Sequence, residues 1–268
     1  MTMECLMAPK IPALLCISLL AGCTLDISPS PEKQRLAIKI QRQSSAPGSS
    51  LRDITPEQLR AGDVLFSSSL GLTSLGIRLF STSSVSHVAI YIGDGMVAEA
   101  VGDGVQIAPL QEVLKHSDKL FALRLPDLTQ PQAEAIARFA RDKNGSRYNY
   151  GGIVEMVPFM LTRQLCSLNP FSREFRQQCV QGLASAQLST PDGRTQDSYF
   201  CSEFVLAAYA AADRPLTTMA AGWVSPADLM HMRDGDVASM TPERPLDYVG
   251  HLKQGVYLKA RKMAWRWH

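Results

Sequence analysis

The stretch "SSVSHVAIYIGDGMVAEAVGDGVQIAPL", residues 83 to 110, constrains the chain more than any other. Val85 to Ile92 is rich in β-branched and aromatic residues. A Gly93-Asp94-Gly95 turn follows, and Met96 to Val101 is a second apolar run. Two such runs around a glycine turn predict an antiparallel hairpin. On its first strand Val85, His87, Ala89 and Tyr91 share one face. A strand histidine is commonly a satisfied core residue, so His87 needs a partner before it means more.

Glu99 supplies that partner in one of two registers. With a three-residue Gly93-Asp94-Gly95 loop, Ala89 opposes Glu99 and His87 opposes Val101. Glu99 then lies diagonally from His87 on its face, within reach of long side chains. With a tight Asp94-Gly95 turn, Glu99 points to the other face. A carboxylate in an apolar strand is costly unless paired, and an imidazole is a natural partner. Gln106, on the next extended stretch, is the reserve candidate for orienting His87.

Downstream, "QDSYFCSEFVLAAYAAA" (196–212) reads as a helix, with Cys201, Phe204, Val205, Ala208 and Tyr209 recurring at spacings of three and four. Cys201 opens it. A buried thiol can simply pack as a small apolar group. A helix start, however, offers free N–H groups and a positive dipole end, which favour a thiolate.

The first residues address the chain rather than fold it. Lys10, the apolar run Ile11 to Leu20 and the small residues after it have a secretory signal layout. The run is too short for an ordinary membrane span. Leu20-Ala21-Gly22-Cys23 resembles a bacterial lipobox, which implies cleavage after residue 22 and acylation, including palmitate, at Cys23. Thr24 in place of Asp resembles lipoproteins sent to the outer membrane, with the domain in the periplasm. Residues 24 to 50 are rich in Ser, Pro, Gln and charge and are expected as a mobile tether.

Residues 51–268 suit one domain. The net charge of +2 suggests no nucleic-acid partner. No metal-ligand spacing appears, and no cofactor is implied. Of six cysteines, Cys5 and Cys16 leave with the signal and Cys23 is lipidated. Cys166 and Cys179 flank a short segment and can close a small loop, leaving Cys201 free. "ITPEQLRAGDVLF" reads as a short helix, a turn at Gly62-Asp63 and a strand. "QPQAEAIARFARDK" reads as an amphipathic helix, "SRYNYGG" as a turn-rich loop, and Ser225-Pro226 as a helix start. The basic, aromatic C-terminus is expected to pack and fray.

"AGDVLF", "SHVAIYIGDGMVAEA", "SRYNYGG", "SYFCSEF" and "VSPADL", in that order, resemble the permuted papain-like amidases of the NlpC/P60 superfamily, YaeF/YiiX type, in a lipoprotein form. The resemblance covers about residues 55 to 235. It implies an α+β, circularly permuted papain-like fold, with an antiparallel sheet against the helix that carries the cysteine. It also implies Cys201 as nucleophile, His87 as base and Glu99 as orienting residue, with Tyr148 in the substrate-binding loop. In this chain Asn149 follows Tyr148 where the family usually has Asp. Residues 155–197 read as an insertion whose apolar "MVPFML" can line a groove.

The implied function is a cysteine peptidase or amidase of the cell envelope, acting through a thioester on a cell-wall peptide or other amide. Acyl transfer or lipid-ester hydrolysis on the same fold is the second reading, and a non-catalytic envelope binding protein the third.

Overall fold

The computed structural model describes residues 23–29, 36–42, 51–68, 85–162, 166, 173–187 and 198–255 apart from 237, 239 and 241. Residues 1–22, which read as a signal, and residues 256–268 lie outside the described residues.

Residues 24–50, expected as a tether, contain paired backbone: β1 (Cys23–Pro29) runs antiparallel to β2 (Leu36–Arg42). Composition argued for mobility, but "TLDIS" and "LAIKIQ" alternate polar and apolar with period two, which is the strand signal.

Six strands form the main sheet: β3 (Asp63–Ser68), β4 (His87–Gly93), β5 (Met96–Val101), β6 (Gly104–Pro109), β7 (Lys119–Arg124) and β10 (Asp247–Lys253). Their order is β10-β7-β3-β4-β5-β6, and every neighbouring pair is antiparallel. The helices are α1 (Leu110–His116), α2 (Gln130–Asp142), α3 (Tyr150–Thr162), α4 (Arg173–Gln187), α5 (Cys201–Ala210) and α6 (Pro226–Met230). Helices around one antiparallel sheet make the fold α+β.

Strand alternation divides the core between the two sheet faces. Val64, Phe66, Val88, Ile90 and Phe121 pack with Ile136 of α2 and Phe204 of α5. Leu65, Ala89, Tyr91, Val97 and Leu120 pack with Leu110 and Val113 of α1. Phe204 is fully buried, so Phe204→Ala would cost about 3–5 kcal/mol.

The "AGDVLF" motif pins the sheet. Gly62 adopts φ +92°, and a Cβ there would meet Leu128 Cδ2 at 2.3 Å, so the turn needs glycine. Asp63, fully buried, accepts from Arg124 Nε at 2.6 Å and Nη2 at 2.7 Å. The Tyr209 hydroxyl of α5 donates to the Gly62 carbonyl, tying the cysteine helix to this turn.

Candidate active site

The β4–β5 turn takes its residues from one expected register and its pairing from the other. Gly93 pairs with Met96, so Asp94-Gly95 is a tight two-residue turn, with φ of +52° and +71° as a primed turn requires. A bulge then intervenes, and beyond it Tyr91 pairs with Val97 and Ile90 with Ala98. Continuing that register sets Glu99 opposite Ala89, diagonal to His87. The extra residue returns Glu99 to the histidine face.

His87 Nε2 and Glu99 Oε2 lie 2.8 Å apart. Gln106 opposes Glu99 in the β5–β6 ladder and donates from Nε2 to Glu99 Oε1 at 2.9 Å. The carboxylate is thus held on both oxygens, and the reserve candidate orients Glu99 rather than His87. The Cys201 side chain lies close enough to His87 to raise its pKa. With Nε2 turned to Glu99, Nδ1 is the nitrogen left for the thiol. Burial alone would lower the His87 pKa; the interactions with Cys201 and Glu99 outweigh it and push it up to about 10. Burial likewise works to raise Glu99, but the bonds from His87 and Gln106 hold it below the usual carboxylate range.

Cys201 is the first residue of α5, after the extended cap residue Phe200. Its N–H is one of the orphan donors of a helix start. The helix is buried nearly all round, including Ser202 and Glu203, rather than on one stripe. Ser202 Oγ donates to the Val224 carbonyl at 2.6 Å, and Glu203 Oε2 accepts from the Phe200 N–H at 3.3 Å. Each polar residue of "FCSEF" thus fixes the helix start. Cys201 is only 2% exposed.

Short strands β8 (Arg147–Tyr148) and β9 (Ser198–Tyr199) run parallel and pair Tyr148 with Tyr199, two residues before Cys201. Burial and the neighbouring Cys201 push the Tyr148 hydroxyl upward, so it stays protonated in the neutral range. Asn149 caps α3 by accepting the Gly152 N–H at 2.9 Å, and its amide donates to Glu203 Oε2 at 3.0 Å. Asparagine does both tasks; aspartate would bring a carboxylate against Glu203.

A cleft of about 490 Å³ opens on His87, Glu99 and Gln106. Ser67, Ser86, Ser117, Tyr148 and Tyr150 also line it. Cys201 does not, but Tyr148 borders the cleft and lies close enough to Cys201 for its hydroxyl pKa to be raised by it. Among the described residues no group of three or more His, Cys, Asp or Glu comes together to hold a metal ion.

Cys166 and Cys179 are joined by a disulfide, with Cα atoms 5.7 Å apart, and Cys201 is a free thiol. The insertion carries α3 and α4, which pack on each other. From "MVPFML", Met156, Phe159 and Met160 face the core; α3 reaches the cleft through Tyr150, whose hydroxyl donates to the Gly102 carbonyl at 2.9 Å. The apolar run therefore anchors the insertion instead of lining the groove.

Sequence reasoning missed the tasks of Glu203 and Asn149 and the burial of Ser86. Glu203, three residues after the cap residue, and Asn149, just before a helical run, carry capping signals. Ser86 carries no signal without its burial.

Comparison with known proteins gives the chain a family. Residues 58–167 match the family described as permuted papain-like amidase enzyme, YaeF/YiiX, C92 family. The chain is 60% identical over 250 residues to a protein of Escherichia coli (strain K12) named probable lipoprotein peptidase YaeF, covering 90% of this chain and 91% of that one.

The chain belongs to the permuted papain-like amidase family. It is accordingly a hydrolase of the peptidase or amidase kind. A crystal structure of metalloprotein yiiX from Escherichia coli O157:H7 aligns at a TM-score of 0.32 and 21% identity, over 51% of this chain and 71% of that one.

Proposed function

We propose that this permuted papain-like amidase cleaves a peptide-like amide of the cell envelope with Cys201, His87 and Glu99, on a circularly permuted papain-like fold. The contact set Cys201–His87–Glu99 carries the reading. The Cys201 thiolate attacks the amide carbonyl carbon, and the oxyanion is met by the Cys201 N–H. The C–N bond breaks as His87 passes its proton from Nδ1 to the departing amine. A water then gives its proton to His87 and attacks the thioester, releasing the acid and restoring the Cys201 thiolate beside protonated His87. Glu99 holds the ring orientation throughout.

The cleft offers an acyl group hydrogen-bonding partners from serines, Gln106 and two tyrosines beside the apolar side chains of Val101, Ala108 and Val113. Tyr148 stands at the boundary between cleft and thiol and is assigned to substrate binding. The relative's name calls it a lipoprotein. For this chain we assign acylation to Cys23 after removal of residues 1–22, residues 23–50 as the link to the membrane, residues 51–268 as the catalytic domain, and an outer-membrane location facing the periplasm.

The test is a screen of the purified mature chain against peptidoglycan peptides, amide substrates and lipid esters, with Cys201→Ala and His87→Ala beside it. Amide cleavage lost in both folded variants supports the reading. Turnover confined to lipid esters establishes the acyl-ester alternative, and full turnover by Cys201→Ala refutes the cysteine mechanism.

A further inference from the structure

The residue before the histidine lines the cleft with a hydroxyl that the mechanism leaves idle. Ser86 is 2% exposed, and its Oγ has no hydrogen-bond partner among the described residues. Burying a hydroxyl unpaired is costly, and such groups in a native fold call for an explanation. The same residue lines the cleft beside His87.

The backbone explains why it sits beside the histidine. Ser67 pairs with His87 in the β3–β4 ladder, and the Ser67 carbonyl also accepts the Ser86 N–H at 3.0 Å. Ser86 and His87 thus oppose one residue of β3, a two-against-one arrangement that re-aims side chains near active sites. Both then contribute to the same cleft wall.

Resting on the cysteine-amidase reading above, we propose that Ser86 is a substrate-binding residue whose hydroxyl donates to a carbonyl oxygen of a peptide-like acyl group seated beside His87. A peptide presents carbonyl oxygens at every unit, whereas the alkyl tail of a lipid presents none. The hydroxyl is satisfied only when such a group is bound, so its burial cost in the free protein becomes binding energy for a carbonyl-bearing substrate. It also places the acyl group next to the base. Serine at this position therefore selects for amide-rich substrates without taking part in proton transfer.

The test uses Ser86→Ala in the full mature chain. Two reagents probe the thiol: a dipeptidyl acyloxymethyl ketone, which offers peptide carbonyls, and 2,2′-dithiodipyridine, which offers none. Melting is followed in parallel. The expected result is a roughly 5- to 10-fold fall in kinact/KI for the ketone, the loss of one neutral hydrogen bond. The rate with dithiodipyridine stays unchanged, and Ser86→Ala melts at or above the parent because an orphan polar group has gone. An unchanged ketone rate overturns the proposal. So does an equal fall with both reagents, which marks a disturbed Cys201–His87 pair, or a lower melting temperature, which marks a structural hydroxyl. If neither reagent modifies Cys201 in the parent, the cysteine-enzyme reading itself fails and Ser86 falls with it.

Discussion

Replacing Glu99 by glutamine tests the part of the site that rests most on geometry. The side chain keeps its shape but loses its charge. Its oxygen can still accept from His87 Nε2, and its new amide group can face Gln106 once the Gln106 amide turns over. At 2.8 Å and an effective dielectric near 20, the charged pair attracts by about 6 kcal/mol gross. Desolvation of two largely buried groups takes back most of that, leaving about 2 kcal/mol, in the range measured for hydrogen bonds to charged groups. That energy corresponds to roughly 30-fold in kcat/KM if it is lost from the transition state, and to about 1.5 units in the His87 pKa. The sign follows from Glu99 favouring the imidazolium: without its charge, His87 releases its proton at lower pH. The parent should titrate near 10 and stay active on the alkaline side until His87 deprotonates. The His87 contribution to stability is then full below about pH 6.5 and lost as the pH rises through about 10. In Glu99→Gln the alkaline limb of activity and the NMR midpoint of His87 should both move down by about 1.5 units. The resonance is assigned by difference with His87→Asn. The exchange Glu99→Gln with Gln106→Glu returns a carboxylate to the network and should recover part of the loss. An unmoved His87 midpoint, or a variant as active as the parent across the pH range, would refute the orienting role.

Other perturbations read other elements. Asn149→Asp should destabilise the fold by about 1–3 kcal/mol at pH 8, because its carboxylate would face Glu203. One carboxyl of that pair is raised in the folded state, so the loss should shrink as pH falls, which melts at pH 5 and 8 would show. Replacing Cys166 and Cys179 by serine should remove about 3 kcal/mol by the chain-entropy model and speed proteolysis near α4, while Cys201 keeps its reactivity toward a small thiol reagent. Cys23→Ser should shift the protein from the membrane fraction to the soluble fraction on cell fractionation.

The strand with His87 and the helix with Cys201 were legible because each has a clear period and a clear terminator. Gly62, Ser225 and the helix over residues 130–142 were legible for the same reason. The contact between Glu99 and His87 was not decided by pattern. It depends on a bulge at Ile92 that the backbone adopts after its turn, and residue types there allow either pairing. Asn149 could be seen as a departure from the family, but its double duty appears only when α3 and α5 are side by side. Ser86 is one serine among several in its stretch until burial and the absence of a partner single it out. In residues 24–50 composition drew attention away from a short alternation that the paired strands β1 and β2 follow.

The bulge between Tyr91 and Gly93 makes the site a matter of parity. His87 and Glu99 lie twelve positions apart across a two-residue turn, and an unbroken ladder of that count would place them on opposite sides of the sheet. One unmatched residue corrects the phase. Deleting the unmatched Ile92 would therefore leave Tyr91 opposite Val97 and Ile90 opposite Ala98, with the carboxylate still on the side of the ring. Deleting a paired residue such as Ile90 while the bulge stays would shift the phase by one and turn the carboxylate to the other side of the sheet, and activity would be lost without unfolding.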